Sequence, residues 1–157
     1  MIAVTDKALF FIEAKLKDKN NTPPSNPNER KKYLSGGGGW FQNVFGSEYE
    51  LVAIQSKKYE LMRFWLLGSW LAEKMERDFY LVNLVPAARE TDIEALFIPH
   101  IRLSDNRHFK RLSWEDIYHW VAGYALENEE KHRWMSYIEN KTVGYDRFQN
   151  LEKAFSV

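Results

Sequence analysis

The stretch LFFIEAKLKD, residues 9–18, decides how the rest of the 157-residue sequence is interpreted. It is an apolar run that ends in Glu13 and Lys15. In a β-strand alternate side chains lie on opposite faces, so Leu9, Phe11, Glu13 and Lys15 share one face. Both faces of the run are apolar until the charged pair, which predicts an internal strand of an α/β sheet covered by helices.

The residues before this strand predict an antiparallel hairpin. Residues 2–4 and 8–16 are β-rich runs on either side of the tripeptide TDK. If the chain turns about Asp6 and Lys7, the numbers of cross-strand partners sum to about thirteen. Glu13 then faces a position just before Met1, and Asp6 lies at the far end of the hairpin.

Composition limits the function classes. Lys plus Arg equals Asp plus Glu at 22 each, so no global positive field attracts nucleic acid or a membrane, and such binding requires a local patch. The absence of cysteine excludes disulfides, zinc-thiolate sites and thiol nucleophiles. The start lacks the pattern of a signal peptide and charges interrupt every long apolar run, so we expect a cytoplasmic protein without a membrane partner.

We expect a single domain over residues 1–157. After the hairpin (1–16), prolines at 23, 24 and 27 and glycines at 36–39 predict a flexible loop over residues 17–46. Ser47 and Glu50 form a capping-box pattern, and the apolar spacing that follows predicts a long helix over 47–77. FYLVNLV, residues 79–85, predicts a strand, so strand, helix and strand form a right-handed crossover.

The segment 86–157 is expected to be mainly helical. TDIEALF begins at a capping residue, Thr91, and SWEDIYHWVAGYAL begins at a second, Ser113, with Asp116 at the third helical position. The basic segment RHFKRL between them contains Arg107, Lys110 and Arg111. It is either a solvated loop or a contact to a DNA backbone. Residues 129–155 predict one or two charged amphipathic helices with a break at Gly144.

The pair Glu13 and Lys15 is the main candidate for chemistry. The same spacing occurs three more times, in polar segments: Glu29 and Lys31, Glu129 and Lys131, and Glu139 and Lys141. Only the first pair lies on an apolar strand, where burying two charges costs several kcal/mol even when they are paired, and this indicates a site. The alternative is that the strand end leaves the sheet and both side chains reach water.

A second candidate is the pair Gln55 and Tyr59. In a helix, residues four apart lie on the same face, so these two groups could together hold a phosphate or orient a carboxylate. Lys57, Lys58 and Arg63 surround them and are candidate contacts to nucleic acid.

FIEAKL on a strand, followed by a helix with Gln-x-x-x-Tyr and an apolar strand, resembles the PD-(D/E)XK nuclease superfamily, in particular its RecB-like branch. The resemblance covers residues 2–85. It implies a restriction endonuclease-like core, a mixed sheet flanked by helices, with extra C-terminal helices here. It also implies that Glu13 and the backbone carbonyl of Ala14 bind Mg²⁺ or Mn²⁺ and that Lys15 is the catalytic lysine. Gln55 and Tyr59 would then support the active site.

The sequence departs from the family in one respect that concerns the metal. The family places an aspartate on the preceding strand, and no residue of this chain fills that place, because Asp6 lies several residues too far away. The family's first helix and first strand have no counterpart either. We therefore expect the sequence to begin inside the fold, with an incomplete metal site and an exposed sheet edge that would favour a homodimer.

Three interpretations follow. The first is a metal-dependent DNA endonuclease or exonuclease that hydrolyses phosphodiester bonds. The second is a catalytically inactive, nuclease-like module that binds DNA or a protein. The third is an α/β structural protein in which Glu13 and Lys15 form a salt bridge at a strand end.

Overall fold

The computed structural model describes residues 1–26 and 29–157 and contains a mixed four-stranded sheet of order β1-β2-β3-β4. The strands are Ile2–Val4 (β1), Ala8–Ala14 (β2), Asp78–Val85 (β3) and Arg107–Ser113 (β4). β1 is antiparallel to β2, whereas β2, β3 and β4 are parallel. Helices flank the sheet, so the expected α/β class is confirmed.

The N-terminal hairpin has the register predicted from the sequence. Ile2 pairs with Phe11 and Val4 with Leu9, so the numbers of each pair sum to thirteen. The Ala8 amide donates to Thr5 Oγ1 at 3.0 Å and closes the turn. Asp6 lies in this turn, at the opposite end of the hairpin from Glu13.

Helix α3, the 16-residue segment Tyr59–Lys74, covers one face of the sheet. The Trp65 and Phe79 rings lie 5.5 Å apart between the helix and β3. A Cβ atom on Gly68 would lie 2.2 Å from the Phe79 ring. Only glycine at this position therefore allows the helix to lie so close to the sheet. The core on this face also includes Phe11 and Leu81.

The prediction of one continuous helix over 47–77 is wrong. A π-helical turn, Glu50–Gln55, precedes α3, and the chain breaks between them. Lys57 has φ 54°, a left-handed conformation that ends a right-handed helix. The predicted cap is wrong as well, because the Ser47 hydroxyl contacts His100 Nδ1 at 3.0 Å instead.

Residues 17–46 contain more structure than the predicted flexible loop. They form α1 (Arg30–Ser35), a 3₁₀ turn (Gly36–Gly38) and α2 (Trp40–Val44). Phe41 and Val44 of α2 are buried in the core. The part of the prediction that concerns residues 27 and 28, including Pro27, lies outside the described residues.

The segment after Pro86 is helical only in part. Ser113 and Asp116 form the predicted capping box at the start of α5 (Trp114–Tyr124), and α4 (Ile93–Phe97) and α6 (Glu129–Asn140) lie in predicted helical regions. The prediction of a solvated loop at residues 107–112 is wrong, since these residues belong to β4 and Phe109 is buried. A break in the predicted helical tail does occur near Gly144, but the residues around and after it form an antiparallel pair, β5 (Thr142–Tyr145) and β6 (Leu151–Lys153), where a second helix was expected.

A second, smaller core forms near α5 and α6. Ile138, Ala154 and Phe155 are buried there, with Leu16 and Trp114 packed against them. Of the helices in the described residues, none has both the length and the apolar character needed to cross a bilayer.

Candidate active site

Glu13 and Lys15 lie at the carboxyl end of β2, on the face covered by α3. Glu13 pairs in register with Asn83 of the parallel strand β3, and the Lys15 amide donates to the Leu84 carbonyl at 2.9 Å. Their side chains are only 16% and 14% exposed. The strand therefore stays in the sheet, and the alternative in which both charges reach water is not observed.

The ammonium of Lys15 lies between two carboxylates. Lys15 Nζ is 2.9 Å from Glu13 Oε1 and 2.7 Å from Glu60 Oε2, on the first turn of α3. Burial by itself lowers the pKa of Lys15, but the hydrogen bonds to Glu60 and Glu13 outweigh it and hold the pKa above its usual value. Lys15 is therefore positively charged at neutral pH, and the three groups together carry one net negative charge.

Glu60 is a site residue that the sequence did not reveal. It lies 45 positions from Lys15 and next to Tyr59, and it is the acidic residue in the first turn of α3. In a sequence, an acidic residue at the start of a helix indicates only an ordinary surface residue that interacts favourably with the helix dipole. The contact to Lys15 requires knowledge of where α3 begins and how it packs on β2.

The Tyr59 hydroxyl makes its hydrogen bonds to residues outside the Lys15 cluster, which consists of Glu13, Lys15 and Glu60. Its hydroxyl donates to Glu29 Oε2 at 2.6 Å and lies 2.8 Å from the Tyr33 hydroxyl. Burial and these two contacts raise the pKa of Tyr59. Tyr59 is thus a neutral donor in a cluster with Glu29 and Tyr33.

The spacing of Gln55 and Tyr59 predicted that they share a helical face, but in the structure they do not. It is the last residue of the π-helical turn and is exposed, and the break at Lys57 separates it from α3. Ala14, whose carbonyl the family resemblance assigns to a metal, lies between Glu13 and Lys15 and is exposed.

A buried polar network lies beside the Lys15 cluster, near the carboxyl ends of β2 and β3. Asn83 Nδ2 donates to Glu90 Oε2 at 2.9 Å, and Asn20 Nδ2 donates to Asn83 Oδ1 at 2.8 Å. Lys58 Nζ donates to the Asn20 carbonyl at 2.9 Å. Lys58 is only 8% exposed, and this burial lowers its pKa. Its prediction as a surface contact to DNA is therefore wrong, because its ammonium faces the protein interior.

The other predicted nucleic-acid contacts do not form one patch. The Arg111 guanidinium donates to the carbonyls of Ala87 and Arg89 at 2.6 and 2.8 Å and so stabilises the turn after β3. Arg107 is half-buried and donates to Ser104 Oγ. Lys57, Arg63 and Lys110 are exposed.

The described part of the chain contains no group of three histidine or acidic side chains arranged to hold a metal ion. Glu13 and Glu60 provide two carboxylates that approach one point, the Lys15 ammonium. Their oxygen donors are of the kind that Mg²⁺ prefers, and Mg²⁺ commonly takes only one or two protein carboxylates.

Comparisons with protein-family models, with curated proteins and with solved structures found no match to this chain.

Proposed function

We propose that the chain is a metal-dependent phosphodiester hydrolase that acts on DNA, with a restriction endonuclease-like core. The observation that carries the proposal is the position of Lys15, whose ammonium is mostly buried between Glu13 and Glu60 at the carboxyl end of a parallel strand. In open α/β sheets ligands bind outside the carboxyl ends of the strands. A paired lysine and carboxylate in that place also agree with the resemblance of FIEAKL to the PD-(D/E)XK family.

The contacts of Lys15 indicate which role this residue has. Its ammonium donates to two carboxylates, so it is suited to hydrogen-bond an anion and is not the general base of the proposal. Two of the ammonium's contacts go to Glu13 and Glu60, so a remaining N–H is available for a phosphate oxygen. Lys15 would stabilise the negative charge that develops on the phosphoryl group during cleavage.

Glu13 and Glu60 would hold the divalent cation. Both are partly buried, both are oxygen donors, and the net charge of the cluster with Lys15 is negative, so the residues present fit Mg²⁺ or Mn²⁺. When bound, the cation lowers the pKa of a coordinated water and neutralises charge on the phosphate. Glu60 would take the place of the family's aspartate, which Asp6 is too distant to supply.

Cleavage of plasmid and single-stranded DNA with Mg²⁺ or Mn²⁺ tests the proposal. We expect Glu13→Gln, Lys15→Met and Glu60→Gln each to lower the cleavage rate by about 100-fold or more, the cost of losing one electrostatic contact to a transition state. Circular dichroism would establish that each variant is folded.

Two matched controls separate the site from general charge effects. Glu73→Gln removes an exposed carboxylate from the same helix as Glu60, and Glu139→Gln changes another Glu-x-Lys pair on an exposed surface. Both should cleave at the parent rate. Absence of cleavage by the parent with either metal, or equal rates in all the variants, would exclude the proposal.

The second candidate is a catalytically inactive module that binds DNA or a protein. It is favoured by the lack, among residues 1–26 and 29–157, of a third acidic or histidine side chain at the cluster. Titration with Mn²⁺ followed by NMR separates the two. Paramagnetic broadening centred on residues 13–15 and 60 supports the hydrolase, and unperturbed signals there support the inactive module.

A further inference from the structure

A cavity of about 340 Å³ lies beside the candidate active site, between α1, α2 and α3. Four aromatic rings and one charged side chain are among the groups that line it: Tyr33, Trp40, Phe64, Trp70 and Arg63. The two tryptophans are half-buried, so parts of their rings are available to a ligand.

The wall of the cavity is fixed by the glycine run. Gly37 has φ 60°, which other residues rarely adopt, and a Cβ atom there would lie 3.0 Å from Trp70 Nε1 and 3.1 Å from Trp40 Cβ. The Trp40 indole donates to Ser69 Oγ at 3.0 Å, which holds the ring in place. Gly37 is therefore packed against both tryptophans and shapes the cavity.

Arg63 gives the cavity its charge. Its guanidinium lies 5.4 Å from the centroid of the Tyr59 ring and has no carboxylate partner in the part of the chain that the structure describes. An exposed arginine without an acidic partner, next to aromatic rings, suits a ligand that combines a planar group with a negative charge.

The spacing of residues along α3 relates the cavity to Glu60. Glu60 precedes Arg63 by three positions and Phe64 by four, which places the three side chains together on the helix surface. At 1.5 Å of rise per residue, Arg63 lies about 4.5 Å beyond Glu60 along the helix axis. The Phe64 ring also contacts the ring of Phe11, on the same face of β2 as Glu13.

We propose that this cavity binds an unstacked base of single-stranded DNA, with the adjacent phosphate on Arg63. The choice of ligand rests on the proposed hydrolase activity at Glu13, Lys15 and Glu60. Successive bases of single strands stack on aromatic side chains in basic grooves, whereas a base within a duplex cannot leave the stack without an energetic cost. The substrate preferred by this site is therefore a strand with unpaired bases.

Binding of a fluorescein-labelled oligothymidylate in EDTA, where no metal-dependent cleavage occurs, tests the inference with the full chain. We expect Trp70→Ala and Arg63→Ala each to weaken binding about tenfold. An abasic oligomer of the same length and charge should bind the parent about as weakly as the oligothymidylate binds Trp70→Ala. Because Trp70 is half-buried, Leu67→Glu, at a rim position that is 51% exposed, is a second variant that should fold and repel the strand. Trp120→Ala removes an exposed indole outside the cavity and should bind like the parent.

The outcomes separate the two proposals. Equal binding by Trp70→Ala, Leu67→Glu and Trp120→Ala, or equal binding of the abasic and thymidylate oligomers by the parent, would overturn the inference. Tighter binding of a duplex or of an RNA oligomer would overturn it as well. If base-dependent binding is lost in Trp70→Ala but no form of the chain cleaves DNA with Mg²⁺ or Mn²⁺, the base site stands and the hydrolase proposal fails.

Discussion

The two carboxylates on the Lys15 ammonium determine how its contribution to stability depends on pH. Because the pKa of Lys15 is raised in the folded chain, the charged form is favoured by folding. That contribution is complete below the unfolded-state pKa of about 10.4 and is lost as pH rises through the higher folded-state value. We expect Lys15→Met to be less stable than the parent at pH 7, and the difference between the two to shrink above about pH 10. Urea unfolding at several pH values measures it, and a difference that stays constant through the alkaline range would contradict the assignment.

His100 has the opposite dependence. Burial, and then the positive charge of Lys58, lower the pKa of His100, and its ring nitrogens contact the Ser47 and Ser56 hydroxyls. The unfolded chain therefore takes up a proton first, as pH falls through about 6.5, and acidification favours unfolding.

The corresponding prediction compares two histidines. In His100→Gln we expect a smaller decrease in the free energy of unfolding between pH 7 and about pH 5 than in the parent. His132→Gln is the control, since the His132 side chain is 70% exposed, and it should keep the parent's pH dependence. Identical profiles for the two variants would show that His100 does not control acid stability.

At the level of single residues, the sequence could predict what depends on local alternation. Glu13 and Lys15 lie on the expected face because a strand repeats every two residues. Glu60 could not be found in this way, since its contact to Lys15 depends on packing between distant elements. The prediction that Gln55 and Tyr59 share a helical face is wrong because one residue, Lys57, adopts a left-handed conformation that helical spacing does not reveal.

Among the elements, α3 depends on a glycine at its contact with β3. Alanine favours helices by about 1 kcal/mol over glycine, but a Cβ atom at Gly68 would meet ring carbons of Phe79 at 2.2 and 2.3 Å. Either the helix or the buried ring would have to move, and overpacking of this kind costs about 1–3 kcal/mol.

We therefore predict that Gly68→Ala lowers the free energy of unfolding by up to about 2 kcal/mol, the overpacking cost less the helix gain. Gly123→Ala, in α5, is the matched control, because a Cβ atom there meets nothing within 4 Å. It should be neutral or stabilising by up to about 1 kcal/mol. Urea unfolding of both variants tests the close approach of α3 to the sheet, and stabilisation by Gly68→Ala would disprove it.

Elements with apolar periodicity were predictable, and those with mixed sequences were not. The sequences of β2 and β3 predict strands because most of their side chains are apolar. In β4 the segment RHFKRLS buries only Phe109 and Ser113, and its pairing with β3 supplies the stability that its composition does not indicate. The break before α3 follows from backbone geometry, and of the four glycines before α2 it is Gly37 that lies close to Trp40 and Trp70.

In the molecule as a whole, the apolar residues form two cores on different parts of the chain. The larger core lies between α3 and the sheet, and the smaller one includes Ile138 and Phe155. Glu115 connects the smaller one to the sheet, because its carboxylate accepts hydrogen bonds from the amides of Ala87 and Ser156. The candidate site and the cavity between α1, α2 and α3 border the larger core. Loss of the smaller core should therefore leave both the site and the cavity formed.

The last prediction tests this division. Phe155 is 7% exposed and its ring lies 5.7 Å from that of Trp114. We expect Phe155→Ala to cost about 3 kcal/mol or more in the smaller core. In native-state hydrogen exchange, the amides of α6 should lose protection while those of β2 and β3 keep theirs.

Phe148→Ala is the control, since Phe148 is 69% exposed in the same C-terminal region, and it should leave exchange unchanged. Uniform loss of protection in Phe155→Ala would mean that both cores unfold as a single unit. In that case, the integrity of the Lys15 cluster would depend on the C-terminal segment. Retention of protection in β2 would instead localise the requirements of the candidate site to the sheet, α3 and the elements that pack on them.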